Sequence, residues 1–187
     1  MKFKDTCEAV FLHQKKYAQD ILKRFKMSNC NAVVMPLEIG EKLRKETGDE
    51  FASATLYKQI IGSLRYLCNT RPDIYQSVGM LSKFMEKPQE CHLIAMKRLL
   101  RIIKGTINHG VSIPRQKRAC IDVKVYGYTN SDFNGDKDEK KSTASYIIMI
   151  ECAPISWSSR KKSIVALSSC ESEYVDALNL SMDRDVA

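Results

Sequence analysis

The sequence predicts an α+β chain, helical in its first part and closed by a three-stranded antiparallel meander with a helix after it. Three observations predict it. Apolar residues recur every three or four positions up to Gly105, and strand-like alternation replaces that period after Gly110. Charge changes sign nearby: the net is +8 over 187 residues, yet residues 121–187 hold 8 basic against 11 acidic side chains, leaving positions 1–120 at +11. A basic part joined to an acidic one suits a polyanion-holding surface beside a carboxylate-bearing, metal-using module, although a lysine-rich solvated surface explains the charge equally well.

The first helix is read from HQKKYAQDILKRFKM, where Tyr17, Ile21, Leu22 and Phe25 share a face and lysines occupy the other. Asn29 to Asp49, with Pro36, Gly40 and Gly48 among mixed charges, is an extended connector. Helical period returns in SATLYKQIIGSLRYLCNT, with Ser53 as N-cap and Leu56, Ile60, Ile61, Leu64 and Leu67 on one stripe. Pro72 suits a first-turn position, and Ile74, Val78, Leu81 and Met85 carry the period on to Pro88. A further helix runs from about Pro88 to Lys104 and stops at Gly105, which can take the left-handed conformation, while Lys104 complements the negative helix end.

Beyond Gly110, VKVYGYTNSDF alternates as a strand, NGDKDEKK is a polar turn, TASYIIMI is β-rich, and APISW and SIVAL are two more short strands. Ser168 and Glu171 form an S-x-x-E capping box for a last helix, with Tyr174, Ala177, Leu178 and Ser181 on one face. The organisation is therefore a helical segment over 1–109 and an α+β segment over 110–187.

Several function classes are set aside. No apolar run approaches a membrane span, and the start lacks the apolar core and cleavage site of a signal peptide, so the chain is expected to be intracellular and not secreted. Its seven cysteines are scattered without a C-x-x-C pair, against both a disulfide framework and a zinc knuckle. His13, His92 and His109 lack metal-ligand spacing. Lys97, Arg101 and Lys104 fall at i, i+4 and i+7 on the third helix of the basic part, with Arg98 adjacent, and can follow phosphates without reading sequence. Opposite them Leu93, Met96, Leu100 and Ile103 form a core face, so the basic residues also fit a plain solvated surface. Trp157 and the Arg160-Lys161-Lys162 turn are a second, weaker candidate.

Taken together, YKQIIGSLRYLCNTRPDI, KRLLRIIKGT, GYTNSDFNGD with KKSTASY, ISWSSRKKS and VALSSCESEYVDA resemble the carboxyl-terminal third of copia-type retrotransposon Pol polyproteins. KKYAQDILKRFKMSNCNAVVMPLE resembles the segment that follows that family's polymerase palm. The resemblance implies the end of a reverse transcriptase joined to the first half of a ribonuclease H, an enzyme that degrades RNA in an RNA–DNA hybrid. The polymerase's Tyr-x-Asp-Asp motif is absent from this sequence, so DNA synthesis is not expected of it.

Two-metal cleavage needs several carboxylates converging on a pair of Mg²⁺ ions. The family's first strand reads Gly-Tyr-x-Asp-x-Asp, its earlier Asp being the ligand; here the stretch is Gly127-Tyr128-Thr129-Asn130-Ser131-Asp132, with a neutral amide at the ligand position. Asp132 shares Asn130's strand face but lies ~6–7 Å further along, more than metal geometry tolerates, and reads better as a turn residue. Glu173 matches the family's helix carboxylate, whereas Glu171 belongs to the capping box. The family's third carboxylate, in a segment like Asp-Asn-Gln, has no counterpart here, and Asp183 and Asp185 do not replace it. The later strand that pairs with the family's first is missing too, which predicts an open edge along GYTNSD. The reading favoured is a catalytically incompetent fragment, with Glu173 a vestigial metal ligand and no Mg²⁺ productively bound. Two alternatives are residual Mg²⁺-dependent hybrid cleavage through Asp132 and Glu173, and weak, non-specific nucleic-acid binding without catalysis.

Overall fold

A computed structural model of the chain describes residues 1–35, 43, 50–115, 124–133, 141–162 and 165–184. The elements are β1 (Lys2–Asp5), β2 (Ala9–His13), α1 (Lys15–Arg24), α2 (Ala54–Leu67), a 3₁₀ turn (Cys68–Thr70), α3 (Pro72–Ser82), α4 (Glu90–Gly105), β3 (Gly110–Pro114), β4 (Val125–Asp132), β5 (Thr143–Ile150), β6 (Ala153–Lys161) and α5 (Ser169–Arg184). The chain is mixed helix and sheet, with two three-stranded sheets ordered β1-β2-β3 and β4-β5-β6. It divides into two compact units, Met1–Thr6 with Phe11–Val111 and Cys7–Val10 with Ser112–Ala187. Most of the predicted connector (Pro36, Gly40 and Gly48 included), nearly all of the NGDKDEKK turn, Ser163, Ile164 and Asp185 lie outside the described residues, as does the side chain of Asp183.

In the first unit the helical faces meet in one cluster that includes Ile21, Leu22, Ile60, Leu64, Leu67, Val78, Leu81, Met96, Leu100 and Ile103. Each fully buried side chain of this size contributes about 1.5–3 kcal/mol. Their ends are capped locally. Ser53 Oγ accepts from the Leu56 amide, 3.4 Å away, and Pro72 opens α3 where a missing N–H costs nothing. Gln89 and His92 form a reciprocal capping box on α4, with His92 Nδ1 accepting from the Gln89 amide at 3.0 Å. After α1, Lys26 takes a left-handed φ of 58° and lets the Met27 amide reach the Leu22 carbonyl at 2.7 Å, the bond that closes a Schellman motif.

Four expectations need correction. The α2 stripe turns inward through Tyr57, whose hydroxyl donates to the Leu81 carbonyl at 2.9 Å, while Leu56 is 39% exposed. Gly105 is the last residue of α4 and not a left-handed cap; a side chain there would press on Ala32. β1 and β2 were not expected: each is only four or five residues long, and β2 takes its second partner, β3, from nearly a hundred residues further along the chain. Gly110 begins β3 so close to the backbone that a Cβ would collide with the Leu12 carbonyl oxygen. Finally, residues 165–167 of the expected SIVAL strand are not strand, and β6 is instead one long strand that absorbs Arg160 and Lys161.

In the second unit β4, β5 and β6 pair antiparallel in sequence order, with Tyr128 opposite Ile147 and Ile147 opposite Trp157. Glu151 and Cys152 make the β5–β6 turn, and Glu151 takes the left-handed φ of 53° that tight hairpins require. Among the described residues β4 is paired on one side only. α5 packs mainly against β4. Its start keeps half of the expected box: the Glu171 amide donates to Ser168 Oγ at 3.1 Å, whereas Glu171 Oε2 accepts from the amide of Leu167, one residue before the cap, at 2.6 Å. None of the described helices is long and apolar enough to cross a membrane.

Candidate functional site

The candidate carboxylate positions lie on β4 and α5. The Ser131 hydroxyl touches that of Ser172 on α5, so the face of β4 that carries Ser131 is turned to the helix. Strand alternation then points Asn130 and Asp132 away from it. Asn130 is exposed opposite Ser145, and Asp132 is half-buried opposite Thr143. Glu173 stands exposed on α5, one residue past Ser172. The structure thus brings together the serines beside the candidate ligands, and among the described residues no hydrogen bond joins Asn130 or Asp132 to Glu173. Nor do the described residues include a group of three or more His, Cys, Asp and Glu placed to hold a metal ion.

What fills the space between strand and helix is a lysine. Lys162 follows β6, donates its amide to the Ser142 carbonyl at 2.9 Å, and sends its side chain beneath α5. There its Nζ donates to the Ser172 carbonyl and, at 2.8 Å, to Ser172 Oγ, and lies 2.8 Å from Asp176 Oδ1. Both charged side chains are about nineteen-twentieths buried, at 5% and 3% exposure. Asp176 takes the ammonium's charge without a well-aligned hydrogen bond to either oxygen. Such a pair gains little over apolar packing but is costly to break on one side. Lys162 therefore leaves the basic group foreseen around Trp157; Arg160 stays exposed and Lys161 half-buried on β6.

In the first unit, the four basic residues of α4 have separate employments. Lys97 is exposed and 3.7 Å from Glu90, a loose surface pair worth little. Arg98 Nε donates to the Met35 carbonyl at 3.0 Å and Arg101 Nε to the Asn31 carbonyl at 2.8 Å. These two guanidiniums hold the start of the connector along α4, and Lys104 is half-buried.

Sequence reasoning missed a deeply buried cation of this unit. Arg71, 2% exposed, grips Asp73 with two bonds of 2.8 and 2.6 Å and reaches the Thr106 carbonyl at 3.0 Å and its Oγ1 at 2.7 Å. The fork joins the start of α3 to the end of α4, and its only signal in sequence was the Arg-Pro-Asp run ahead of a helix. Beside it, burial and then the Asp73 carboxylate push the Cys68 thiol up to about 12, the nearby arginines offsetting part of the rise. Burial likewise raises the Tyr57 phenol. His92 stacks on Phe84, with ring centres 3.9 Å apart, and serves the α4 cap.

No family model matches the chain, and no solved structure matches it. It is 40% identical, over 92% of its length, to the retrovirus-related Pol polyprotein from transposon RE1 of Arabidopsis thaliana, and 36% identical over 94% to that from transposon RE2 of the same plant. A third relative is the retrovirus-related Pol polyprotein from transposon TNT 1-94 of Nicotiana tabacum, 35% identical over 92% of the chain. The chain spans only 12–13% of these relatives' own length.

Proposed function

Since this chain belongs to the copia-type, retrovirus-related Pol polyproteins of transposons, we propose that it comprises the end of a reverse transcriptase joined to part of a ribonuclease H, and that it holds an RNA–DNA hybrid without cutting it. Asn130 carries this reading. An amide at the position where the resemblance implies an aspartate supplies one oxygen and no charge, and it stands exposed on the face of β4 turned away from α5. One carboxamide and two carboxylates, Asp132 and Glu173, do not fit a pair of Mg²⁺ ions, so no metal-dependent step is drawn through them. Binding in this reading is electrostatic and non-specific, supplied by the basic helical part.

The test is to mix the full chain with a fluorescent RNA–DNA hybrid in Mg²⁺ and follow binding and RNA length together. Binding should weaken steeply between about 50 and 200 mM salt, with no loss of RNA. Mg²⁺-dependent RNA loss that disappears in Glu173→Ala would establish the residual nuclease instead.

A further inference from the structure

Gly62 lies in the middle of α2, where glycine weakens a helix, and nothing among the described residues asks for it: the residue is exposed, and a Cβ added there would meet no described atom within 4 Å. An alanine would fit and would strengthen the helix. The neighbours of this gap are basic. Lys58 sits four residues before Gly62 and Arg65 three after, both exposed, neither ion-paired with another described residue, and α2 carries no acidic side chain. Seven residues at 1.5 Å each set the two cations about 10 Å apart along one line of the helix, with the gap between them. Tyr66, 48% exposed, flanks that line, and its ring is steadied by Tyr17 edge-on at 4.9 Å. Gln14 Nε2 donates to its carbonyl at 3.2 Å.

We propose that this strip of α2, Lys58, Gly62, Arg65 and Tyr66, is where the chain holds the sugar-phosphate backbone of a nucleic-acid duplex. Gly62 is the notch that lets the backbone come against the helix, the two cations take phosphates on either side, and the tyrosine ring lies along the sugars. The assignment rests on the proposed reading that the chain holds nucleic acid, and it differs from the sequence expectation in helix. On α4, Arg98 and Arg101 are engaged with the connector's carbonyls, whereas Lys58 and Arg65 project from a helix face with nothing acidic on it. A polyanion fits two cations around an open notch; an apolar protein surface does not.

Fluorescence anisotropy of a labelled RNA–DNA hybrid with the full chain tests this. Gly62→Ala should melt a few degrees higher than the parent, which shows that it folds, and yet bind about fivefold more weakly; Gly62→Leu should lose about tenfold or more. Lys58→Gln with Arg65→Gln should lower the slope of log affinity against log salt by about 2. Parent-like binding in both Gly62 variants overturns the notch. Unchanged binding in the charge pair with losses confined to Arg98→Gln and Arg101→Gln moves the surface to α4. Competition by poly-glutamate as strong as by unlabelled hybrid would mean an acidic protein partner and overturn the duplex. A parent chain that binds no hybrid at all removes both this assignment and the reading beneath it.

Discussion

The helical unit and the sheet unit are held together by different physics. Twenty buried hydrophobic residues form one cluster in the first, whereas among the described residues of the second only Ile148, Ala153 and Ala166 are as deeply buried hydrophobics. The second buries Ser142, Thr143, Ser158, Lys162, Ser172 and Asp176 instead, twice as many polar residues as apolar ones. Apolar burial is non-directional and spreads over many neighbours, so it degrades by increments. A buried polar pair is conditional, because each member is tolerated only while the other is present. The two units should accordingly fail in different ways under substitution and under pH.

The largest effect is expected of Lys162→Ala, which leaves Asp176 without its cation beneath α5. We expect a loss of about 3–5 kcal/mol, read as early melting of the β-rich circular dichroism signal. Replacing both partners, Lys162→Met with Asp176→Leu, should recover most of it; a double variant as unstable as the single one would mean the pair is not conditional. Next in size, Leu64→Ala in the helical cluster should cost about 2–4 kcal/mol, and no second substitution at a single neighbouring site should restore it. Equal rescue at both places would dissolve the distinction. The third test concerns alkaline pH. The Cys68 thiol rises from 9.0 to about 12 on folding, so the unfolded chain releases its proton first. Stability from this group is constant below pH 9 and falls as pH climbs toward 12, and the raised Tyr57 phenol acts in the same direction. Urea midpoints of the helical signal across that range should fall less in Cys68→Ala than in the parent.

The same contrast explains what could be read in advance. Ile21, Ile60, Leu64, Val78, Leu81 and Met96 announced their helices and their burial, because a 3.6-residue period is a local property. β4, β5 and α5 were legible for a similar reason, through alternation and the Ser168 to Glu171 box. Arg71, Lys162 and Asp176 were not, since charged residues on solvated faces outnumber those that find a buried partner, and the partner is fixed only by tertiary packing. Arg98 and Arg101 were placed on the correct face of α4, but a pattern of charges cannot reveal that connector carbonyls lie over it. Of the candidate ligands, the identity of Asn130 was plain in sequence, whereas the turning of Ser131 toward α5 needed the fold.

The small sheet ordered β1-β2-β3 has a consequence in time. β2 ends at His13 and β3 begins at Gly110, so on a ribosome adding 5–20 residues per second β1 and β2 wait about 5–20 s for the strand that completes their sheet. During that interval α1, α2, α3 and α4 are made in order and can close on one another, and β2 with its exposed backbone edge is the segment most open to a chaperone or to a neighbouring nascent chain. The last strand of that sheet is thus a late fastening, added to a helical cluster already assembled.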